Sequence, residues 1–143
     1  NIARDLAEDD AAGRCYLPLE WLVAADIPPG EQMKPRYRQA LVPLVHRMCC
    51  MARHYEASAR IGAARLGFRQ RWAVLSAAGI YGAIGREVDR AGAAAWDHRV
   101  TSSAAAKLAH VVKALVLAAL PAPRRDPVRP YTRRQLAERA RAA

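Results

Sequence analysis

Aromatic residues are scarce in this sequence: one Phe, three Trp and five Tyr among 143 residues. A core must therefore be built mostly from Ala, Leu and Val. A basic stripe interleaved with aromatic rings, the usual platform for single-stranded nucleic acid, is missing. Cysteine is limited to Cys15, Cys49 and Cys50. With no C-x-x-C spacing and no histidine cluster beside them, neither zinc nor a disulfide framework is indicated. Adjacent Cys49 and Cys50 point about 100° apart on a helix, so they read as core or half-buried thiols in a reducing cytosol. No apolar run approaches the roughly 18 to 20 residues of a spanning helix; the longest lies around Ala114 to Ala119. No apolar/polar alternation of strand type competes with helical periodicity, which leaves an all-α class. There is no G-x-G-x-x-G run and no internal repeat. The chain also lacks an initiator Met and opens inside a charged motif, so the expectation is a piece of a longer protein whose signal sequence, if any, lies elsewhere.

What is present is charge. Net +10 and a pI near 10.4 suit an anionic partner, whether nucleic acid, an anionic membrane surface or a diphosphate. Arginine far outnumbers lysine. Arg124, Arg125, Arg129, Arg133, Arg134, Arg139 and Arg141 load the tail, and the remainder is spread among alanine-rich segments.

Periodicity divides the chain into helices. The first runs to about Ala12 and stops at Gly13, since glycine is favoured just past a helix end. Pro18 opens a short helix through Trp21 to Ala25, and Pro28-Pro29-Gly30 ends it. From about Pro35 to Leu66, Tyr37, Leu41, Leu44, Val45, Met48, Ala52, Tyr55 and Ala59 recur at three- and four-residue steps, a long amphipathic helix that Pro43 should bend or interrupt. A corner at Gly67-Phe68 leads to a helix over Arg69 to Ala91. Its Gly79, Gly82 and Gly85 leave room for close helix approach or a ligand chain. A loop at Gly92 to Arg99 precedes a last helix over Ser102 to Leu120, with Leu108, Val111, Val112, Leu115 and Leu120 as its apolar set. Prolines 121, 123, 127 and 130 mark a linker, and Tyr131 to Ala143 is a basic tail, either a short helix or disordered.

The first helix carries the chemistry. At about 100° per residue, Asn1, Asp5, Glu8 and Asp9 fall within an arc of roughly 100°, with Arg4 at its edge. Acidic residues suit the first turns of any helix because they complement its dipole. Yet carboxylates one turn apart also repel, so something cationic should sit over them. A hard divalent ion such as Mg²⁺, held by one or two carboxylates plus phosphate oxygens, is the natural candidate.

The full string Asn1-x-x-Arg4-Asp5-x-x-Glu8-Asp9-x-x-x-Gly13-Arg14-x-Tyr16-Leu17-Pro18-x-x-Trp21-Leu22 resembles the second aspartate-rich motif of the squalene and phytoene synthase family, nearest its bacterial phytoene synthase branch. The likeness continues through Arg71-Trp72-Ala73, Ile80-Tyr81-x-x-Ile84-Gly85-x-Glu87-Val88, Trp96-Asp97-x-Arg99-Val100 and Lys107-Leu108, and so covers about residues 1 to 118. One departure is Gly67, where many family members have proline. No upstream Asp-x-x-x-Asp partner precedes the motif.

The resemblance implies the all-α isoprenoid synthase fold. Residues 1–120 would form the C-terminal half of its bundle, lacking the first aspartate motif, and residues 121–143 a Pro/Arg-rich linker and basic tail. It implies a prenyltransferase that condenses two geranylgeranyl diphosphates head to head, through prephytoene diphosphate, to phytoene in carotenoid biosynthesis. Asn1, Asp5, Glu8 and Asp9 would hold Mg²⁺ or Mn²⁺. Arg4, Arg14 and Arg99 would contact the substrate diphosphate, and Asp5, Asp9, Tyr16 and Tyr81 would act at the reacting centre. NADPH is not expected. The isolated chain should be inactive without the N-terminal half of the same protein. The expected location is cytoplasmic, peripheral on the inner face of the membrane. Squalene or dehydrosqualene synthesis from farnesyl diphosphate is the alternative within the class. A non-catalytic basic helical module for protein or nucleic-acid binding is the alternative outside it, and no nucleic-acid partner is expected.

Overall fold

The computed structural model of the chain describes residues 1–121 together with Arg134, Gln135, Glu138 and Arg141. Over residues 1–121 five α-helices follow in order: α1 (Leu6–Ala11), α2 (Leu19–Ala24), α3 (Arg38–Ala63), α4 (Phe68–Ala91) and α5 (Ala104–Ala119). Short 3₁₀ turns at Pro35–Tyr37 and Gly92–Trp96 lead into α3 and out of α4. Among the described residues there is no strand, as the sequence predicts. No helix there is long and apolar enough to cross a membrane. The linker and basic tail expected over 121–143 lie outside the described residues, save Pro121 and four helical positions, where Arg134 pairs with Glu138 at 2.9 Å.

Helix α1 ends as its glycine demands. Gly13 adopts φ +70°, its N–H bonds to Asp10 O at 2.9 Å, and the Arg14 N–H reaches back to Asp9 O at 2.7 Å. This is the paired closure of a left-handed helix stop. The first residues, Asn1 to Asp5, form a turn rather than a helix, yet Asp5 N–H to Asn1 O (2.9 Å) and Asp9 N–H to Asp5 O (2.8 Å) keep the helical one-turn spacing. Of the bend or interruption expected at Pro43, the interruption does not occur: α3 is continuous from Arg38 to Ala63. Pro43 sits exposed near the start of the helix, where its ring faces solvent rather than neighbouring helices. Gly67 holds φ −61°, a value a proline ring would also fix, so the corner into α4 forms without the family's proline.

The main core gathers Leu6, Leu17, Leu22, Ile27, Leu41, Val45, Ile84, Val88 and Trp96. The opening segment is thus sewn onto the α3–α4 pair, and the buried Trp96 indole N–H donates to Ala3 O at 3.1 Å. Gln32, the buried polar side chain of this region, accepts from Gly30 N–H (3.0 Å) and donates to Asp10 (2.5 Å), fastening the end of α1 to the turn after α2.

A second cluster joins α4 to α5 through Leu75, Ala114 and Ala118, with Trp72 and Leu117 beside them. Here the apolar set expected for α5 is corrected. Leu108, Val112, Leu115 and Leu120 are exposed, Val111 is half-buried, and Ala114 and Ala118 face α4. The reason lies on α4: the His110 side chain of α5 packs over Gly79, where a Cβ would lie 3.1 Å from its Nδ1, and Leu75 meets Ala114 and Ala118. Trp72 donates to Val111 O at 3.0 Å, and Arg71 donates to Ala118 O and Leu120 O at 3.3 and 2.9 Å, capping the carbonyl end of α5.

Candidate functional site

The acidic face of α1 is covered by guanidinium groups. Arg4 binds Asp5 through both oxygens, Nε to Oδ1 at 2.6 Å and Nη2 to Oδ2 at 2.7 Å. Arg99, delivered from the segment after α4, donates Nε to Asp5 Oδ1 at 3.1 Å and lies 3.4 Å from Glu8 Oε1. Arg14, placed by the Gly13 turn, reaches Asp9 Oδ1 at 3.2 Å. Arg4 thus pairs through both oxygens with its neighbour Asp5, and Glu8 is met by Arg99.

The electrostatics follow from this knot. The hydrogen bond from Arg4 holds the Asp5 carboxyl well below the usual carboxylate range, against the opposing effect of burial, and Arg99 adds to the lowering. Asp5 in turn raises Arg4. Both side chains are largely enclosed, 18 % and 15 % exposed, so the pair interacts in a medium less screening than water.

Arg4 also lines a groove of about 490 Å³ between α3 and α4. Asn1, Ile2, Arg4 and Tyr81 line it, and Met48, Ala52, Ala59, Ala77, Ala78, Ile84 and Gly85 make walls that are mostly hydrocarbon. The three small positions on α4 serve three ends. Gly79 admits α5, Gly85 borders the groove, and Gly82 makes room for Glu56, whose Oε2 would sit 2.3 Å from a Cβ there. Glu56 bridges Arg60 (2.7 Å) and Arg86 (3.1 Å) and also lines the groove.

Of the residues expected at the site, the structure brings together Arg4, Asp5, Glu8 and Arg99, sets Asp9 with Arg14 one turn away, and places Asn1, Arg4 and Tyr81 on the groove. Tyr16 is not brought there: it is exposed, ahead of α2, and does not line the groove. Among the described residues no three His, Cys, Asp or Glu side chains converge to hold a metal. The donor chemistry nevertheless fits a hard cation, because Mg²⁺ needs only one or two carboxylates when phosphate supplies the rest, and Asp5 and Asp9 lie one helical turn apart with the Asn1 amide a further turn back.

Sequence reasoning missed Gln32, Glu56 and Arg86. The Glu56–Arg60 spacing of four is a legible signal; the Arg86–Glu56 contact between helices is not. The paired tryptophans and Arg71 of the quoted motifs prove to be scaffold, fastening α5 and the opening segment.

The comparisons agree on one family. The family model for squalene/phytoene synthase matches residues 1–106. A 15-cis-phytoene synthase of Pantoea ananas is 38% identical over 130 residues, 91% of this chain and 42% of the relative. Another from Enterobacter agglomerans is 40% identical over 114 residues, 80% of this chain and 39% of that one. A phytoene synthase of Pseudescherichia vulneris is 39% identical over 114 residues, 80% of this chain and 37% of that one. The chain thus spans about two fifths of the length of the curated relatives it matches. No solved structure matches.

Proposed function

Because the chain belongs to the squalene/phytoene synthase family, we propose that the protein carrying it is a prenyltransferase that joins two geranylgeranyl diphosphates head to head, through prephytoene diphosphate, to phytoene. The observation that carries this reading is the ionic knot of Arg4, Asp5, Glu8 and Arg99, whose Arg4 also lines a groove with mostly hydrocarbon walls. Ionisation of an allylic diphosphate leaves a polyanion and a carbocation side by side. The first needs forked cationic donors, and the second needs an apolar wall.

Arg4, Arg14 and Arg99 supply the forks. Each is held by a carboxylate at rest, so its geometry is set before the diphosphate arrives, and binding exchanges a carboxylate partner for a phosphate one. Asp5 and Asp9, with Asn1 and Glu8 beside them, would hold the divalent ion. The family works with a divalent metal, which we assign as Mg²⁺ or Mn²⁺. When bound, it neutralises charge on the diphosphate oxygens. Tyr81 stands on the groove near Arg4, where its hydroxyl can face the reacting end of the substrate. Tyr16 belongs to this assignment only through the motif, with a second part of the protein drawing it inward.

Residues 1–120 would be the C-terminal part of the synthase domain, with 121–143 a linker and basic tail. The remainder of the protein would supply the facing helices and first aspartate motif, without which the chain is inactive. The oily product favours peripheral attachment to the cytoplasmic face of a membrane. Failure of the intact protein to float with anionic liposomes at low salt would refute that attachment.

The deciding experiment is chromatographic product analysis of the intact protein with geranylgeranyl or farnesyl diphosphate and Mg²⁺, with and without NADPH, beside Asp9→Asn. Forty-carbon phytoene formed without NADPH and lost in Asp9→Asn is the expected result. A thirty-carbon product moves the protein to the squalene branch, and no product from either substrate overturns the reading.

A further inference from the structure

Beside the groove, α3 and α4 bring together four side chains that the proposed reaction does not use as a group. His46, Cys50 and Arg53 come from successive turns of α3, and Asp89 from α4. Cys50 Sγ lies 3.4 Å from His46 Nε2, and His46 Nδ1 lies 2.7 Å from Asp89 Oδ1. Arg53 donates Nη2 to the same sulfur at 2.8 Å and Nη1 to Asp89 Oδ2 at 2.7 Å. A thiol, an imidazole and a carboxylate therefore stand in the order nucleophile, base and orienting group, with a guanidinium tying the first to the last.

We propose that Cys50 is a base-assisted nucleophilic thiol and a site of covalent modification by small soft electrophiles, independent of the prenyl-transfer reaction. The Asp89 carboxylate accepts from Nδ1–H and leaves the Nε2 lone pair directed at the thiol. As sulfur attacks an electrophilic carbon, the S–C bond forms from the sulfur lone pair and the bond to the leaving group breaks. The leaving group departs with that electron pair, and the thiol proton passes to His46 Nε2. The resulting imidazolium stays paired with Asp89. Arg53 holds the sulfur toward this pair throughout. The titratable groups facing Cys50 are His46, Cys49 and Arg53 from its own helix and Asp89 from α4.

The other two thiols supply the contrast. Cys49, next in sequence, turns into the core, and burial pushes its thiol up. Cys15 is exposed and has no hydrogen-bond partner among the described residues. Cys50 is half-buried beside a His46 side chain that is 59% exposed, so a small reagent can reach it.

The test is residue-resolved mass spectrometry of the intact protein during reaction with iodoacetamide at neutral pH. Cys50 should label at least about tenfold faster than Cys15, a conservative share of what a positioned general base contributes. The two rates should converge in urea. His46→Gln, a change at an exposed side chain that circular dichroism will check for folding, should bring Cys50 down to the Cys15 rate. Equal rates in the folded wild type, or a ratio unchanged in folded His46→Gln, would overturn the proposal. The wild-type ratio decides it even if the variant does not fold.

Discussion

Replacing Asp5 with Asn removes one charge from the knot and should destabilise the protein in a pH-dependent way. Asp5 accepts from both nitrogens of the Arg4 fork and from Arg99, and Arg4 is only 15 % exposed. Losing the carboxylate leaves that guanidinium partly enclosed and uncompensated. Removing one member of a charge-assisted pair costs about 2 kcal/mol at neutral pH. The folded carboxyl titrates below the ordinary range, whereas an unfolded Asp titrates near about 3.9. Above about pH 4 both states hold Asp5 ionised, and its stabilisation is fully present. As pH falls through that value the unfolded chain takes up its proton first, and the stabilisation fades until the folded carboxyl protonates as well. Urea unfolding of the intact protein between pH 7 and pH 3, wild type against Asp5→Asn, reads this directly. The gap should be widest at neutral pH and narrow on acidification. Asp89 is also lowered, chiefly by its hydrogen bond from Arg53, but it contributes to both curves, so the difference isolates Asp5. A variant as stable as wild type at pH 7, or a gap of constant size across the range, would refute the reasoning.

Other outcomes follow from the scaffold. Leu41 is fully buried at the centre of the main core, and Leu41→Ala should cost about 3 kcal/mol, seen as a lower urea midpoint. Trp96→Phe keeps most of the ring but strips Ala3 O of its donor. A loss of about 1 to 2 kcal/mol is expected, with faster amide exchange in the opening segment. Ser103 caps α5 by accepting from Ala106 N–H at 3.1 Å; Ser103→Ala should lower stability by about 1 kcal/mol and Ser103→Gly by only a few tenths.

The helices and the charged motif were legible because each rests on local signals: period, glycine stop, proline start. The face that α5 buries was not. Its sequence is apolar nearly all round, with no acidic residue, so periodicity offers two stripes and cannot choose between them. The choice is made on another helix, where Gly79 takes the His110 side chain and Leu75 meets Ala114 and Ala118, leaving Leu108, Val112 and Leu115 outside. At Pro43 the break did not form for the opposite reason: a local rule about proline yielded to a helix anchored on both sides by buried Leu41 and Val45. At the site, the carboxylate face of α1 was readable from its spacing, but the partner of each carboxylate was not. Arg99 meets Asp5 across ninety-four positions of sequence, and only the tertiary path of the chain after α4 brings it there.

The turn at Gly13 reaches further than its size suggests. Its left-handed backbone is open around the Cα, with nothing within 4 Å of a Cβ placed there, so space would permit any side chain and only handedness forbids it. The same turn aims the Arg14 N–H at Asp9 O and its side chain at Asp9 Oδ1. A substitution that relaxes Gly13 would therefore swing a guanidinium away from its carboxylate without altering either charged residue. The polarity of the motif's far end is thus written in a backbone torsion as much as in the identities of its charges.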